Sequence, residues 1–343
     1  MPESTTISPF DGVASEPGVA KPDPILVVDG VERHFGGLVA VDVDHLEVQR
    51  GVITALIGPN GAGKTTLFNL LTGFDRPNQG TWSFEGEDLG RVPSHKVARR
   101  GMVRTFQLTK ALSRLTVLDN MLLGATDQRG ERFLSGLFKP SWAAQEESNT
   151  ARAEALLDRF NLLEKRDDYA GELSGGQRKL LEMARALMVE PSLIMLDEPM
   201  AGVNPALVQS LLHHVTALRD EGRSIIFVEH DMDVVMNISD WVVVLAQGKV
   251  IAEGPPAAIL GNKTVIDAYL GGDDEDEDDP SLDAPASGTD GSSPAGQDGH
   301  TPAADSGATP PDDEGDVPAA DDRVTPPDDA ADGPDDQRPG GPR

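Results

Sequence analysis

The stretch VITALIGPNGAGKTTLFNLLTG, residues 52–73, limits the fold more than any other part of the sequence. It joins a short apolar run (52–58), a glycine-rich turn and an apolar-patterned helix (64–73) closed by Gly73. Gly58 to Thr65 fits Gly-x4-Gly-Lys-Ser/Thr, and the motif works only where a strand enters and a helix leaves. Gly58, Gly61 and Gly63 let the backbone curl so that successive N–H groups face inward, and the helix N-terminus adds its positive dipole. Lys64 is placed to reach the β- and γ-phosphates of a nucleoside triphosphate, and Thr65 to ligate Mg²⁺ through its hydroxyl. Asn60 and Thr66, in the same loop and first helical turn, count with the nucleotide-binding residues. The expected fold is therefore an α/β P-loop NTPase with a parallel sheet.

Other apolar runs extend this sheet. SLIMLDE (192–198) and RSIIFVEH (223–230) are buried strands ending on charged residues, which marks the ligand-binding carboxyl edge of a parallel sheet. GTWSFEGEDL (80–89) and WVVVLAQGKVIAEG (241–254) alternate and turn at glycine, so they predict antiparallel hairpins. Residues 108–182 read as a mostly helical lobe. The domain is expected to start near Ile25 and to end near Gly272.

At the ends of those strands, Asp197 is expected to hold Mg²⁺, through water, and Glu198 to act as general base on the attacking water. His230 closes its strand and is placed to contact the γ-phosphate. Gln107, in VRTFQ, is placed to reach the metal or the water from a loop. A carboxylate pair after a strand is ordinarily a solvated loop, and a lone strand-end histidine is ordinarily structural. The P-loop turns both toward catalysis. The remaining histidines share no metal-like spacing; His213 and His214, adjacent on a helix, read as surface or packing residues.

LSGGQRKLLEMARALM (173–188) has a complete local explanation up to a point. Ser174 with Gln177 forms a capping box, followed by an amphipathic helix. Its buried stripe is expected at Leu180, Met183, Ala184 and Leu187, with Arg178, Lys179, Glu182 and Arg185 outside. Two consecutive glycines, Gly175 and Gly176, weaken such a helix start unless something approaches the backbone closely.

The segments GPNGAGKTT, RTFQ, LSGGQ, LIMLDEP and VEHD follow the order and spacing of an ABC-type ATPase domain, which residues 25–272 resemble nearly throughout. The resemblance implies ATP and Mg²⁺ as ligands and a head-to-tail dimer with a second ATPase subunit or with itself. In that dimer Ser174, Gly175, Gly176 and Gln177 complete the partner's site. It also implies adenine stacking on Phe35, in RHFGG, and a Gln107 loop that senses transmembrane permease subunits. RTFQ, RGERFLSGLFKPSW, AGVNP and the ending IAEGPPAAILGNKTVIDAYLG are similar to ATPase subunits of branched-chain amino acid importers. A substrate-binding protein is then an indirect partner, and the expected location is cytoplasmic, peripheral on the inner face of the membrane. Asn204 stands where the wider family carries aspartate, and reads as a mark of the subgroup. LSGGQ departs the other way, because the subgroup often degrades it.

The net charge of −29 is uneven. Residues 273–343 hold 22 acidic and 3 basic residues, 12 of the 26 prolines and the repeat TPPDD at 309–313 and 325–329. Such a segment cannot bury enough apolar area to offset its ordering entropy, so a disordered acidic tail is expected. It has no counterpart in the family pattern. Residues 1–24, rich in Pro, Ser and Thr, read as a loose, disordered leader. The start MPESTTISPFDG has neither a basic opening nor an apolar run, so no secretory signal is expected. No run approaches the roughly 18 apolar residues of a membrane helix. With no cysteine, disulfide, zinc-thiolate and thiol chemistry are excluded. Charge alone suggests no nucleic-acid partner. Other readings are an ATPase for urea or amide uptake or lipid export, or a soluble ABC ATPase acting on ribosomes or DNA. One ATPase domain without cysteine argues against the last. An inactive scaffold is disfavoured because Lys64, Asp197, Glu198 and His230 are all present.

Overall fold

The computed structural model describes residues 9–105, 112–125 and 140–270, the first four residues of the last segment by backbone alone. Gln107, most of the RGERFLSGLFKPSW insertion and the acidic tail lie outside the described residues.

The central sheet has the order β10-β9-β3-β8-β7-β6. Its strands are β3 (Ile53–Ile57), β6 (Met102–Thr105), β7 (Leu193–Asp197), β8 (Ser224–Val228), β9 (Trp241–Ala246) and β10 (Lys249–Gly254). All adjacent pairs are parallel except β9 with β10. The apolar runs are continuous because both faces of this sheet are covered. Ile194, Leu196, Ile225 and Phe227 face one core, while Leu193, Met195, Ile226 and Val228 face the other. The hairpin expected over 241–254 is present, but β9 also pairs in parallel with β3. A fully buried strand such as Trp241–Leu245 needs a neighbour on each side, so the hairpin joins the main sheet instead of a lobe.

A second sheet, β2-β1-β4-β5, is antiparallel: β1 (Pro24–Phe35), β2 (Leu38–Gln49), β4 (Gln79–Phe84) and β5 (Glu87–Asp88). Helix α1 (Lys64–Leu71) buries Leu67, Phe68, Leu70 and Leu71 in the core shared with this sheet. On the opposite face of the central sheet pack α3 (Val117–Leu122), α4 (Pro140–Arg159), α5 (Gly175–Ala186), α6 (Pro205–Asp220) and α7 (Met232–Ile238). Helix α2 (Ser94–Arg99) precedes β6, and α8 (Pro256–Leu260) and α9 (Lys263–Leu270) end the described chain.

Two expectations change. Residues 9–23 are not loose: Phe10 is buried and stacks on Trp241 with ring centroids 4.4 Å apart. Lys21 Nζ forms a fully buried ion pair with Glu253 at 2.8 Å, and Trp241 Nε1 donates to the same carboxylate. The start of β9 at Trp241 presents apolar surface that needs cover, and Phe10, with Val13 and Val19 packed against the same core, supplies it without regular structure. Proline and serine rule out a helix here, not packing. The second change is Glu182, expected on the outer face of α5 but buried. It faces the gap between α5 and the ends of β6 and β7, where Thr105 and Asp197 lie.

Candidate functional site

The cradle is held open from both sides by backbone. A Cβ on Gly58 would lie 1.9 Å from the carbonyl oxygen of Leu245, and one on Gly63 2.2 Å from that of Ala40. Gly63, the N-cap of α1, also has φ 99, a left-handed conformation costly to any other residue. Asn60, Gly61 and Thr65 are exposed at the rim and Thr66 is half-buried. Lys64 Nζ folds back to donate to the carbonyl oxygens of Gly58 and Pro59 at 2.7 and 2.8 Å. Burial pushes its pKa down, against the pull of Glu198 and Asp197, so the cradle and the carboxylate pair share one electrostatic neighbourhood. A curled loop that only glycine fits, a buried cation and an open helix N-terminus form a donor set suited to a nucleotide's phosphates.

Asp197 ends β7 almost fully buried and accepts from Arg104 Nη2 at 2.5 Å. Arg104 Nη1 donates to Asn69 Oδ1 at 2.6 Å, which ties β6 and β7 to α1. Thr65 and Asp197 offer hard oxygens of the kind Mg²⁺ takes, and phosphate and water normally fill most of its octahedron. Bound there, the ion would neutralise charge developing on the phosphates.

Glu198 sits at φ 47. Its N–H donates to the Val228 carbonyl at 3.0 Å, and its Oε1 lies 3.0 Å from His230 Nε2. Asp231 caps α7 by accepting from the N–H groups of Asp233 and Val234, which fixes the turn carrying His230. Behind this pair, buried Glu229 accepts from the N–H groups of Met200 at 2.7 Å and His230 at 3.3 Å. Burial pushes its pKa up, opposed by those two N–H groups.

The LSGGQ loop forms the capping box. Gln177 N–H donates to Ser174 Oγ at 3.2 Å, and Gln177 Oε1 accepts from Ser174 N–H at 2.9 Å. The two glycines separate. A Cβ on Gly176 would lie 2.1 Å from Leu207 Cδ2, so internal packing against α6 explains it. Around Gly175 only Arg178 Nη2, at 4.0 Å, comes within range, and Ser174 and Gly175 are exposed. Asn204 caps α6 by accepting from Leu207 N–H at 2.9 Å, a bond an aspartate would make equally well. Phe35 is 49 % exposed at the β1–β2 turn, with the Arg33 guanidinium 4.5 Å from its ring centroid.

The structure thus gathers Gly58, Lys64, Asp197, Glu198 and His230 at adjoining loop ends. Sequence reasoning missed four residues there: Arg104, Glu229, Lys179 and Tyr269. An arginine inside the strand-like run MVRT was a signal for the first. Tyr269, in α9, lies with its hydroxyl against the Gly58 N–H, and burial pushes its pKa up.

Residues 41–201 match the ABC transporter family, and residues 249–275 match the branched-chain amino acid ATP-binding cassette transporter family. The chain is 43 % identical to the high-affinity branched-chain amino acid transport ATP-binding protein BraF of Pseudomonas aeruginosa, over 72 % of this chain and 98 % of BraF. The chain belongs to the ABC transporter ATP-binding family. It is also 42 % identical to the probable branched-chain amino acid transport ATP-binding protein LivG of Archaeoglobus fulgidus, over 74 % of this chain and 97 % of that one. The ADP conformation of MJ1267, an ATP-binding cassette of an ABC transporter, superposes with a TM-score of 0.63 at 38 % identity, over 72 % of this chain and 99 % of that one. The relatives therefore span a cassette-sized core, and roughly a quarter of this chain lies beyond it. Among the described residues of this cassette, no helix is long and apolar enough to cross a membrane.

Proposed function

We propose that this cassette binds and hydrolyses ATP with Mg²⁺ to drive branched-chain amino acid import through separate permease chains. The observation that carries the chemistry is the Glu198–His230 pair, 3.0 Å apart and in the electrostatic neighbourhood of Lys64. The relatives' substrate supports the cargo.

In this reading Lys64 leaves the Gly58 and Pro59 carbonyls for the β- and γ-phosphates, while Phe35 stacks on adenine. Gly58 lets the loop curl, and the N–H groups of Asn60, Gly61, Gly63, Lys64, Thr65 and Thr66 enclose the phosphates. Thr65, Asp197 and Gln107 hold the metal, Asp197 through water, with Arg104 fixing its carboxylate. Glu198 takes the proton of the attacking water. His230 keeps Glu198 oriented and meets the γ-phosphate. Ser174, Gly175, Gly176 and Gln177 close the site of an opposite subunit, either a second copy or a homologous ATPase. Ser174 Oγ accepts the cap bond with a lone pair, so its O–H stays available to donate to phosphate.

A groove of about 260 Å³ runs between α2–β6 and α3–α5, lined by Ala98, Val103, Thr105, Leu123, Glu182 and Arg185. Leu123 is 57 % exposed there. We assign this groove to a helix of the permease, in keeping with a cassette that works peripherally on the inner face of the membrane. A substrate-binding protein acts only through the permease.

Glu198→Gln tests the reading. ATP binding should persist while turnover falls by about 10²–10⁴, the usual weight of a positioned general base. The ATP-bound dimer should accumulate, visible by light scattering. Reconstituted with its permeases, the wild type should drive ATP-dependent uptake of leucine, isoleucine or valine. Near-normal hydrolysis by the variant removes Glu198 from the mechanism, and uptake of urea instead overturns the cargo.

A further inference from the structure

Lys179 stands two residues beyond Gln177 on α5. It reaches across to donate to the carbonyl oxygens of Ala201 at 2.5 Å, Pro199 at 2.9 Å and Glu198 at 3.5 Å. An ammonium has three N–H bonds, and here all three go to one stretch of backbone. That stretch is also held elsewhere: Glu198 N–H by Val228, Met200 N–H by the Glu229 carboxylate, and Ala201 N–H by the Glu198 carbonyl at 3.2 Å. The left-handed φ of 47 at Glu198 is costly for a non-glycine residue, and such strain persists only where the surroundings over-determine it. Burial pushes the Lys179 pKa down against the opposing charges of Glu229, Glu182 and Glu198, while its hydrogen bonds among the described residues go to backbone carbonyls.

We propose that Lys179 is a positioning residue that clamps the Glu198–Ala201 backbone to the helix starting at Ser174, so that the loop completing the opposite site and the general base of this chain's own site move as one body. The inference rests on the reading of Ser174–Gln177 as the closing loop of a partner's site. Its consequence is coupling: phosphate gripped at the start of α5 reorients Glu198, and a chain whose LSGGQ loop is unengaged holds its base less well. Three features make Lys179 suited to this. It sits one helical turn into α5, where movement of the Ser174 end is transmitted with little loss. It lines, together with Met183, Pro199 and Leu211, a small cavity between α5 and the end of β7, so its head group is at the seam the clamp would hold. Its acceptors begin at the catalytic residue itself.

The test uses full-length protein and two variants, Lys179→Met and Lys179→Arg. Amide exchange at Met200 and Ala201 in the nucleotide-free chain should quicken in Lys179→Met and return toward wild type in Lys179→Arg. In the ATPase assay Lys179→Met should bind a fluorescent ATP analogue as the wild type does. Its kcat should fall by about 10- to 100-fold, the scale expected of a misplaced reacting group, and Lys179→Arg should recover most of it. Should Lys179→Met fail to fold, Lys179→Gln replaces it in both measurements. Unchanged exchange overturns the clamp, and faster exchange with wild-type kcat overturns its link to hydrolysis. A kcat loss that follows the melting temperature and is not rescued by arginine makes the residue merely structural. If wild-type protein hydrolyses no ATP, the proposed function fails, while the exchange measurement still decides the clamp.

Discussion

His214 shows how burial alone makes a residue report on pH. It lies on α6 with 7 % of its surface exposed and its ring 4.3 Å from that of Phe160. Burial pushes its pKa below the ordinary 6.5, helped by the nearby charges of Arg159 and His213. The folded state therefore holds neutral imidazole where the unfolded chain would take up a proton. Stability from this group is complete above about pH 6.5, the unfolded value, and is lost as pH falls through the lowered folded value. The melting temperature of the wild type should fall between about pH 7 and 5.5 more steeply than that of His214→Phe. Parallel curves for the two proteins would show that another group carries the slope. The neighbouring His213 is exposed, so two adjacent histidines with the same intrinsic chemistry differ only in what the helix turns them toward.

At the scale of the element, the start of α5 is only partly accounted for by its own chain. Its capping box satisfies two of its own N–H groups, and Gly176 admits Leu207 of α6, yet Gly175 faces open space. If the loop only capped its helix, Ser174→Arg would cost about 1 kcal/mol of stability and little else. If it closes a partner's site, the same change spares ATP binding to the single chain and abolishes hydrolysis. Mixing Lys64→Ala with Ser174→Arg separates the two. A mixed dimer regains one site built from a sound cradle on one chain and a sound Ser174 on the other, so partial ATPase recovery is expected. Demonstrably mixed dimers without activity would sink the trans assignment. Where the chain does not pair with itself, the second ATPase takes one of the two roles.

Over the whole molecule, the two ends of the chain should behave oppositely. The segment around Phe10 covers Trp241 and contributes a buried lysine to Glu253. Phe10→Ala should cost about 3 kcal/mol, as for other large-to-small changes in a core. At about 2–4 °C of melting temperature per kcal/mol for a domain this size, the loss is easily measured. Removing 273–343 should leave both melting temperature and ATPase near wild type, because the composition of that tail offers no core to share. An unaffected Phe10→Ala or a large loss on tail truncation would reverse the assignment of the two ends.

The sequence by itself determined the strand–loop–helix of the cradle, the buried strands, the capping box and the placement of Lys64, Asp197, Glu198 and His230 at loop and strand ends. Each of these is written in contiguous residues: apolar runs of strand length, glycines at fixed offsets, and charges at strand ends. Tertiary structure alone decided what joins them. Arg104 meets Asp197 across 93 residues of chain, and Lys21 meets Glu253 across 232. Glu182 turns inward because the ends of β6 and β7 happen to face that side of its helix. Of two adjacent glycines with the same sequence signal, only packing showed that Gly176 belongs to Leu207, while a Cβ at Gly175 would meet nothing nearer than Arg178 Nη2 at 4.0 Å. Periodicity records which face of an element is apolar. It carries no record of which charged group lies across the gap, because that depends on how separate elements dock.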